Sequence, residues 1–446
     1  MREVAPLSLR RISRYRWPLL ITLCVAVTAA FSLSPLVDVA LPGAAVSASL
    51  KTPIVYDLLA PASNVLDALT MLSPAQYWAV FALCAFLIVG GELFRDARRA
   101  RCFKPLRAIR TCARFAGGTV AIIGIMLVLS RPMASLSLSD PELIAVDFHS
   151  HTSASHDGRP GFDAEKNREW HRAAGFNAVY ITDHKTFDGV LDGQKLNPAT
   201  AGAGTTILPG VELRDGGQHP ILIGVDPTRM TINSPDWKGA AVRTDGGAVP
   251  PILILTMPGD LDHVPGGEFT GPVRLAAIER ADGSPRGIAQ IAKDGRRIDE
   301  FAGRMGLALI SGSDNHGWAE AAPSWSVLRI PGWRALTPAA LDVAIRRTVI
   351  ARVPGSMQVI ARRTAGPTAG KIGSALGGVA VAALMLRTMS LRDRLSWLAW
   401  SWGLVLLPSI SARRRRRNFL MESRARRRAM ARRPVLDAAA AVDVAS

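Results

Sequence analysis

What most constrains this chain is the placement of its uncharged runs. Twenty-one residues, WPLLITLCVAVTAAFSLSPLV, lie between Arg16 and Asp38, and 24 lie between Asp67 and Glu92. A helix needs about 20 apolar residues to cross the hydrocarbon core, so each run predicts a transmembrane helix. Sixteen more uncharged residues separate Arg114 from Arg131. That run is short, but flanking arginines can snorkel to the interface. The expected layout is a basic cytoplasmic N-terminus (1–16), a transmembrane helix (17–37), a loop (38–75) and a second transmembrane helix (76–94). A basic cytoplasmic loop (95–114) and a third transmembrane helix (115–131) come next. Two apolar segments near the other end, 372–386 and 395–412, supply at least one further crossing before an Arg-rich tail, 413–446.

The charge supports this layout. The formal net charge of +18 would by itself suggest a nucleic-acid partner. Yet residues 1–17, 95–114 and 412–434 hold 24 basic and 3 acidic residues, leaving 30 basic and 33 acidic elsewhere, a net −3. Basic residues beside apolar runs follow the positive-inside rule, and the five consecutive arginines Arg413–Arg417 read as a stop-transfer or anionic-lipid contact. The expected partner is therefore the lipid bilayer and not nucleic acid. The expected location is a bacterial inner membrane, spanned several times, with the domain beyond the third helix outside the cytoplasm. Cysteines occur only at 24, 84, 102 and 112, which gives neither a disulfide framework nor zinc-motif spacing.

Residues 140–362 read as a soluble domain. Short apolar runs, LIAVDFHSH (143–151), NAVYITDH (177–184), TTILPGVEL (205–213), PILIGVD (220–226), PILILTM (251–257) and LALISGSDNH (307–316), alternate with helix-like segments near 163–174 and 287–305. Strands alternating with helices predict an α/β layer or barrel. Several runs end in polar groups, where barrel enzymes place their active sites.

All eight histidines lie between 149 and 316. His149 and His151 are two apart, so on a strand both face one side while Val146 and Phe148 face the other. Asp157, Thr182-Asp183-His184, Pro209-Gly210-Val211-Glu212, His219 and Ser313-Asp314-Asn315-His316 come after them in order. Imidazoles and carboxylates converging on strand ends suit zinc, manganese or iron. A carboxylate that bridges two such ions sets up water activation and neutralisation of phosphoryl oxygens.

The series DFHSHTSASHDG, ITDHKTFDG, PGVEL, His219 and SGSDNHGW resembles the PHP (polymerase and histidinol phosphatase) family over about residues 144–330. The resemblance implies a distorted (β/α)7 barrel, here flanked by transmembrane α-helices, and hydrolysis of a phosphoester with two or three divalent ions (Zn, Mn or Fe). Carried over by motif, His149, His151, Glu212 and Asp314 would hold one ion. Glu212 would bridge to a second that takes His219, and Asp157, His184 and His316 would hold a third. Catalysis would depend on Glu212, Asp314 and His184. The family's histidine before Pro-Gly is replaced by Met257, a poor ligand for a hard or borderline ion. Two tight ions and one labile or missing ion are therefore expected, unless Asp260, Asp262 or His263 substitutes.

Lys185 and Arg214 lie just after proposed ligands and are candidates to grip a substrate phosphate. Asp147 and Asp183 adjoin ligands as candidates to orient imidazoles. His156 is a substitute ligand or a solvated loop residue, and His171, mid-helix in AEKNREWHRAAGF, reads as structural. The expected substrate is a phosphorylated small molecule or lipid. Alternatives are a metal-binding sensor or pseudoenzyme on the same scaffold, or hydrolysis of a non-phosphate bond such as an amide.

Overall fold

The strands of the histidine-bearing segment are continuous apolar runs, the pattern of a sheet covered on both faces. In the computed structural model every residue of Leu143–Ser150 is buried. The structure describes residues 15–98, 102, 104–128, 131–213, 219–228, 249–256, 261, 273–365 and 375–442. The strands are β1 (Leu36–Asp38), β2 (Ala48–Lys51), β3 (Ser135–Leu138), β4 (Leu143–Ser150), β5 (Ala178–Ile181) and β6 (Thr206–Glu212). They continue with β7 (Ile221–Ile223), β8 (Ile252–Leu255), β9 (Arg274–Asp282), β10 (Ala308–Gly312), β11 (Ser324–Arg329) and β12 (Met357–Arg362). The helices are α1 (Arg16–Ala30), α2 (Ile54–Leu58), α3 (Ala60–Thr70), α4 (Pro74–Arg98), α5 (Pro105–Val128) and α6 (Ala164–Ala174). After them come α7 (Asp188–Gln194), α8 (Pro285–Met305), α9 (Pro338–Ala351), α10 (Ala375–Thr388) and α11 (Leu391–Val442).

Ten strands form one mixed sheet in the order β1-β12-β11-β4-β5-β6-β7-β8-β9-β10. The pairs β4–β5, β5–β6, β8–β9 and β9–β10 are parallel, whereas β6–β7–β8 is an antiparallel meander. The sheet is curled. β11 pairs with the first half of β4, while the Asp314 N–H donates to the His149 carbonyl (2.9 Å) and the His151 N–H to that of Asn315 (3.0 Å). The chain leaving β10 thus returns to the end of β4. The α/β class agrees with expectation; seven repeating βα units are not present among the described residues, because the meander replaces crossovers with tight antiparallel pairing.

α6 forms where the sequence places it. Asp163 caps it by accepting the Lys166 N–H (2.9 Å), and Gly175 ends it at φ 90°, a conformation glycine adopts without steric cost. One buried cluster, including Ile144, Val146, Phe148, Tyr180, Ile221 and Ile254, fills the inside of the curl. A second joins Leu36, Leu136, Trp325 and Ile360 on the other face.

The segment expected as a plain loop (38–75) is folded. β1 pairs antiparallel with β12, β2 pairs with β3, and α2 and α3 come after β2. The free edge of β12 needs a partner, and Leu36 supplies apolar surface against Trp325, so the sheet extends beyond 140–362.

The membrane layout also changes. Among the described residues one helix, Pro74–Arg98, is long and apolar enough to cross a membrane; α10 with Leu391–Pro408 passes only as a broken pair. α1 has 15 residues, about 22 Å at 1.5 Å per residue, and the expected span 17–37 ends in strand β1. The expected basic loop 95–114 is largely helical. α4 runs to Arg98 and α5 starts at Pro105, and Arg107 pairs with Glu92 (3.3 Å). Nor does Arg131 snorkel. Its guanidinium is nearly buried and lies 2.5 Å from Asp67, where a carboxylate compensates its charge. The Arg-rich segment is helical as far as Val442.

The chain divides into two compact units, one comprising 1–30 with 390–446 and the other 31–389. In the first, Trp402 Nε1 donates to Thr22 Oγ1 (3.1 Å) between α1 and α11. In the second, α10 packs on α4. A Cβ on Gly378 would run into the Ala79 carbonyl and the Leu83 side chain, so glycine permits the close approach.

Candidate metal centre

The period of two in β4 brings His149 and His151 to the same side, with their Nε2 atoms 3.1 Å apart. β6 delivers Glu212, whose Oε2 lies 3.1 Å from His149 Nε2 and 3.2 Å from His151 Nε2. Asp314, after β10, places Oδ1 at 3.4 and 3.5 Å from the same two nitrogens. Two imidazole nitrogens and two carboxylate oxygens aimed at one point need a cation, bound protons or a metal ion, to offset their charge. The four atoms form a donor set that fits a divalent ion.

A second set joins it. Asp157 Oδ2 lies 3.3 Å from both His184 Nε2 and His316 Nε2, and Ser155 Oγ holds its other oxygen (2.7 Å). His184 Nδ1 faces Glu212 Oε2 at 3.6 Å, and His219 Nδ1 faces Glu212 Oε1 at 2.7 Å. Glu212 thus stands at the centre, as a bridging carboxylate would. All eight proposed ligands come together.

Backbone geometry contributes. Asp314 has φ 47° and Lys185, next to His184, φ 55°, both in the left-handed region that non-glycine residues rarely adopt. The Lys185 N–H donates to the Glu212 carbonyl (3.2 Å), tying two ligand-bearing strand ends together.

One residue of this site carries no motif in the sequence. Glu279 on β9 is fully buried and meets His149 Nδ1 at 2.9 Å, on the ring edge opposite the donor set. Such a carboxylate fixes ring orientation and raises basicity. At Gly312 a Cβ would strike both Glu279 and His149, so glycine makes room for the pair. The available signal is a lone glutamate ending the run LAAI.

Of Asp147 and Asp183, expected to orient imidazoles, Asp147 holds the ring of His171 and not that of a proposed ligand, and both carboxylates accept backbone N–H groups. Asp147 accepts the N–H groups of His149 (3.1 Å) and Ser313 (3.0 Å), and Asp183 accepts the N–H and Oγ1 of Thr152. His171 is structural as expected, buried between Asp147 Oδ2 (2.8 Å) and the Asn167 carbonyl (2.8 Å). His156 is exposed, 3.8 Å from Asp157. Lys185 is exposed, next to half-buried His184. Arg214, Met257, Asp260, Asp262 and His263 lie outside the described residues.

The electrostatics are those of a cation site. Burial would lower His151, but hydrogen bonds to Asp314 and Glu212 push it up to about 9. His149 is likewise raised despite burial, by Glu279, Asp314 and Glu212. Burial opposes charge on Glu212, yet His149, His151 and His219 hold it far below the usual carboxylate range. Asp314 is brought to about 2 in the same way, and burial takes His184 down to about 4. Carboxylates this strongly stabilised by positive imidazoles would be stabilised as well by metal ions.

No family model matches the sequence, and no curated protein matches it. Solved structures that resemble it include PsfC from Pseudomonas syringae (16% identity, TM-score 0.34, covering 54% of this chain and 99% of that one). Another is a protein from Bifidobacterium adolescentis described as a metal-dependent phosphoesterase (14%, TM-score 0.28, 45% and 96%). A third is a two-domain Bacteroides vulgatus protein containing a predicted PHP-like metal-dependent phosphoesterase (14%, TM-score 0.31, 45% and 63%).

Proposed function

We propose that this chain is a membrane-anchored, metal-dependent phosphoesterase, with its curled sheet a distorted barrel of the PHP kind. The observation that carries this reading is Glu212. One oxygen is within reach of His149, His151 and His184 while the other meets His219, the arrangement a carboxylate needs to serve adjacent ions. Divalent ions bound there supply a hydroxide nucleophile at neutral pH and take up charge on non-bridging phosphoryl oxygens. His149, His151, Glu212 and Asp314 would hold one ion, Asp157, His184 and His316 another, and His219 would complete a weaker position with Glu212. Glu279 keeps the His149 ring aimed at the donor set. His184, half-buried at the rim, would act as an ion's ligand with Asp157 and His316, so the proton for the leaving group would come from water. Lys185 and Arg214 are candidates to meet the phosphate. Anchoring is supported by Pro74–Arg98 and by the flanking arginines, and the positive-inside rule favours a site on the extracytoplasmic side of a bacterial inner membrane.

The test is ester hydrolysis by the full chain in detergent, loaded with Mn2+ or Zn2+, read as phosphate released from a panel of phosphomonoesters and as alcohol released from a panel of phosphodiesters. Turnover that disappears on chelation and in His149→Ala is expected. Metal-loaded protein that cleaves amides and no phosphoester would overturn the assignment.

A further inference from the structure

Beside the cluster lies a cavity of about 410 Å3, within the range of about 300–1,000 Å3 usual for small-molecule sites. Asp157, Asp314 and His316 line it. The cavity is also lined by the large apolar side chains of Leu66, Leu69, Tyr77 and Trp318, with Thr70 and Glu320 among its polar groups. Three of the four apolar residues come from outside the histidine-bearing segment. Leu66 and Leu69 are on α3, and Tyr77 is the fourth residue of α4, the helix long and apolar enough to cross a membrane.

That apolar lining is fixed in place. Asp67, next to Leu66, is buried against Arg362 on β12 (2.6 Å), Arg131 (2.5 Å) and the Tyr56 hydroxyl (2.8 Å). The Tyr77 hydroxyl donates to the Leu69 carbonyl (2.6 Å), joining the end of α3 to the start of α4. Beyond Tyr77, α4 carries exposed Trp78 (62%), Phe86 (67%) and Leu87 (61%), and Trp318 at the cavity is 48% exposed. Indole rings at such positions favour a membrane interface. A small hydrophilic phosphate ester has no use for large apolar side chains lining the same cavity as the candidate ligands, still less for one from the start of a helix long and apolar enough to cross a membrane.

We infer that the substrate is a lipid phosphate monoester. Its phosphate meets the His/Asp/Glu cluster while the first part of its chain lies against Leu66, Leu69, Tyr77 and Trp318 and leaves along α4 into the bilayer. This rests on the phosphoesterase reading and narrows it to one substrate class.

The experiment compares kcat/KM of the full chain, Mn2+-loaded in mixed micelles, on dioleoyl phosphatidate and on glycerol 3-phosphate. The lipid should be favoured at least roughly tenfold, since burial of two methylenes already suffices for that ratio, and Leu69→Asp should bring the ratio towards one. A binding readout needs no turnover. Phosphatidate with brominated chains should quench the emission that Trp318→Phe removes more strongly than brominated phosphatidylcholine at the same mole fraction. Equal or better turnover of glycerol 3-phosphate, or Trp318 quenching no stronger with phosphatidate than with phosphatidylcholine, would overturn the lipid assignment and leave the phosphoesterase standing. No turnover of either ester by metal-loaded protein would overturn both.

Discussion

His149 shows how much one ring depends on its neighbours. Its Nε2 points into the donor set and its Nδ1 meets buried Glu279. Glu279→Gln keeps the shape but weakens the hold on the ring, so metal affinity should fall about 10- to 100-fold. Calorimetric titration with Mn2+ or Zn2+ measures this, and an unchanged affinity would show that Glu279 does not orient His149. His151 sets a pH dependence. Its pKa, about 9 in the metal-free fold, lies above its ordinary 6.5. The protonated ring therefore stabilises the metal-free fold fully below pH 6.5, and this contribution is lost as pH rises through about 9. A metal ion needs the neutral ring, so affinity should rise across the same window with proton release near pH 7. Titrations in buffers of different ionisation enthalpy count those protons, and none released would refute the coupling. The HxH pair, Asp157, His184 and the Asp314/His316 pair were legible because short spacings at strand ends constrain direction. Glu279 was not legible, since nothing in LAAIE says what faces its carboxylate.

At the level of the element, α3 decides the shape of the cavity. Burial alone would raise the pKa of Asp67, but Arg362 and Arg131 bring it below the ordinary carboxylate value. Removing one partner of a buried ionic network leaves uncompensated charge, at a cost of about 3–5 kcal/mol. Asp67→Ala should therefore loosen α3 and lower the denaturation midpoint, with faster hydrogen exchange confined to residues 54–72. Exchange unchanged there would show that the helix is held by apolar packing alone. The role of Arg131 was hidden in the sequence because an arginine ending an apolar run has the same pattern whether it faces lipid headgroups or a carboxylate. β1 was hidden similarly: Leu36–Asp38 continues an apolar run that starts as a helix, and only the open edge of β12 draws it into the sheet.

For the whole molecule, the folded unit exceeds the segment with the recognisable motifs. A fragment spanning 140–362 loses β1 from the β12 edge and Leu36 and Leu136 from the cluster around Trp325. It should aggregate or melt well below the full chain in detergent; a soluble fragment with the same Tm would show that the N-terminal strands are dispensable. Metal analysis of the full chain should find two tightly held ions with a labile or absent third, because Met257 stands where the resemblance to the PHP family implies a histidine; three stoichiometric ions would refute that. The amino-acid sequence by itself determined the α/β class, the order of the candidate metal ligands and the separation of basic flanks from a near-neutral domain, since each depends on local period, spacing or charge. The tertiary structure alone decided that α3 and the start of α4 line the cavity beside the histidine cluster, that Glu279 backs His149, and that the sheet recruits strands from before residue 140. Those outcomes depend on which distant surfaces meet, and no local pattern encodes that.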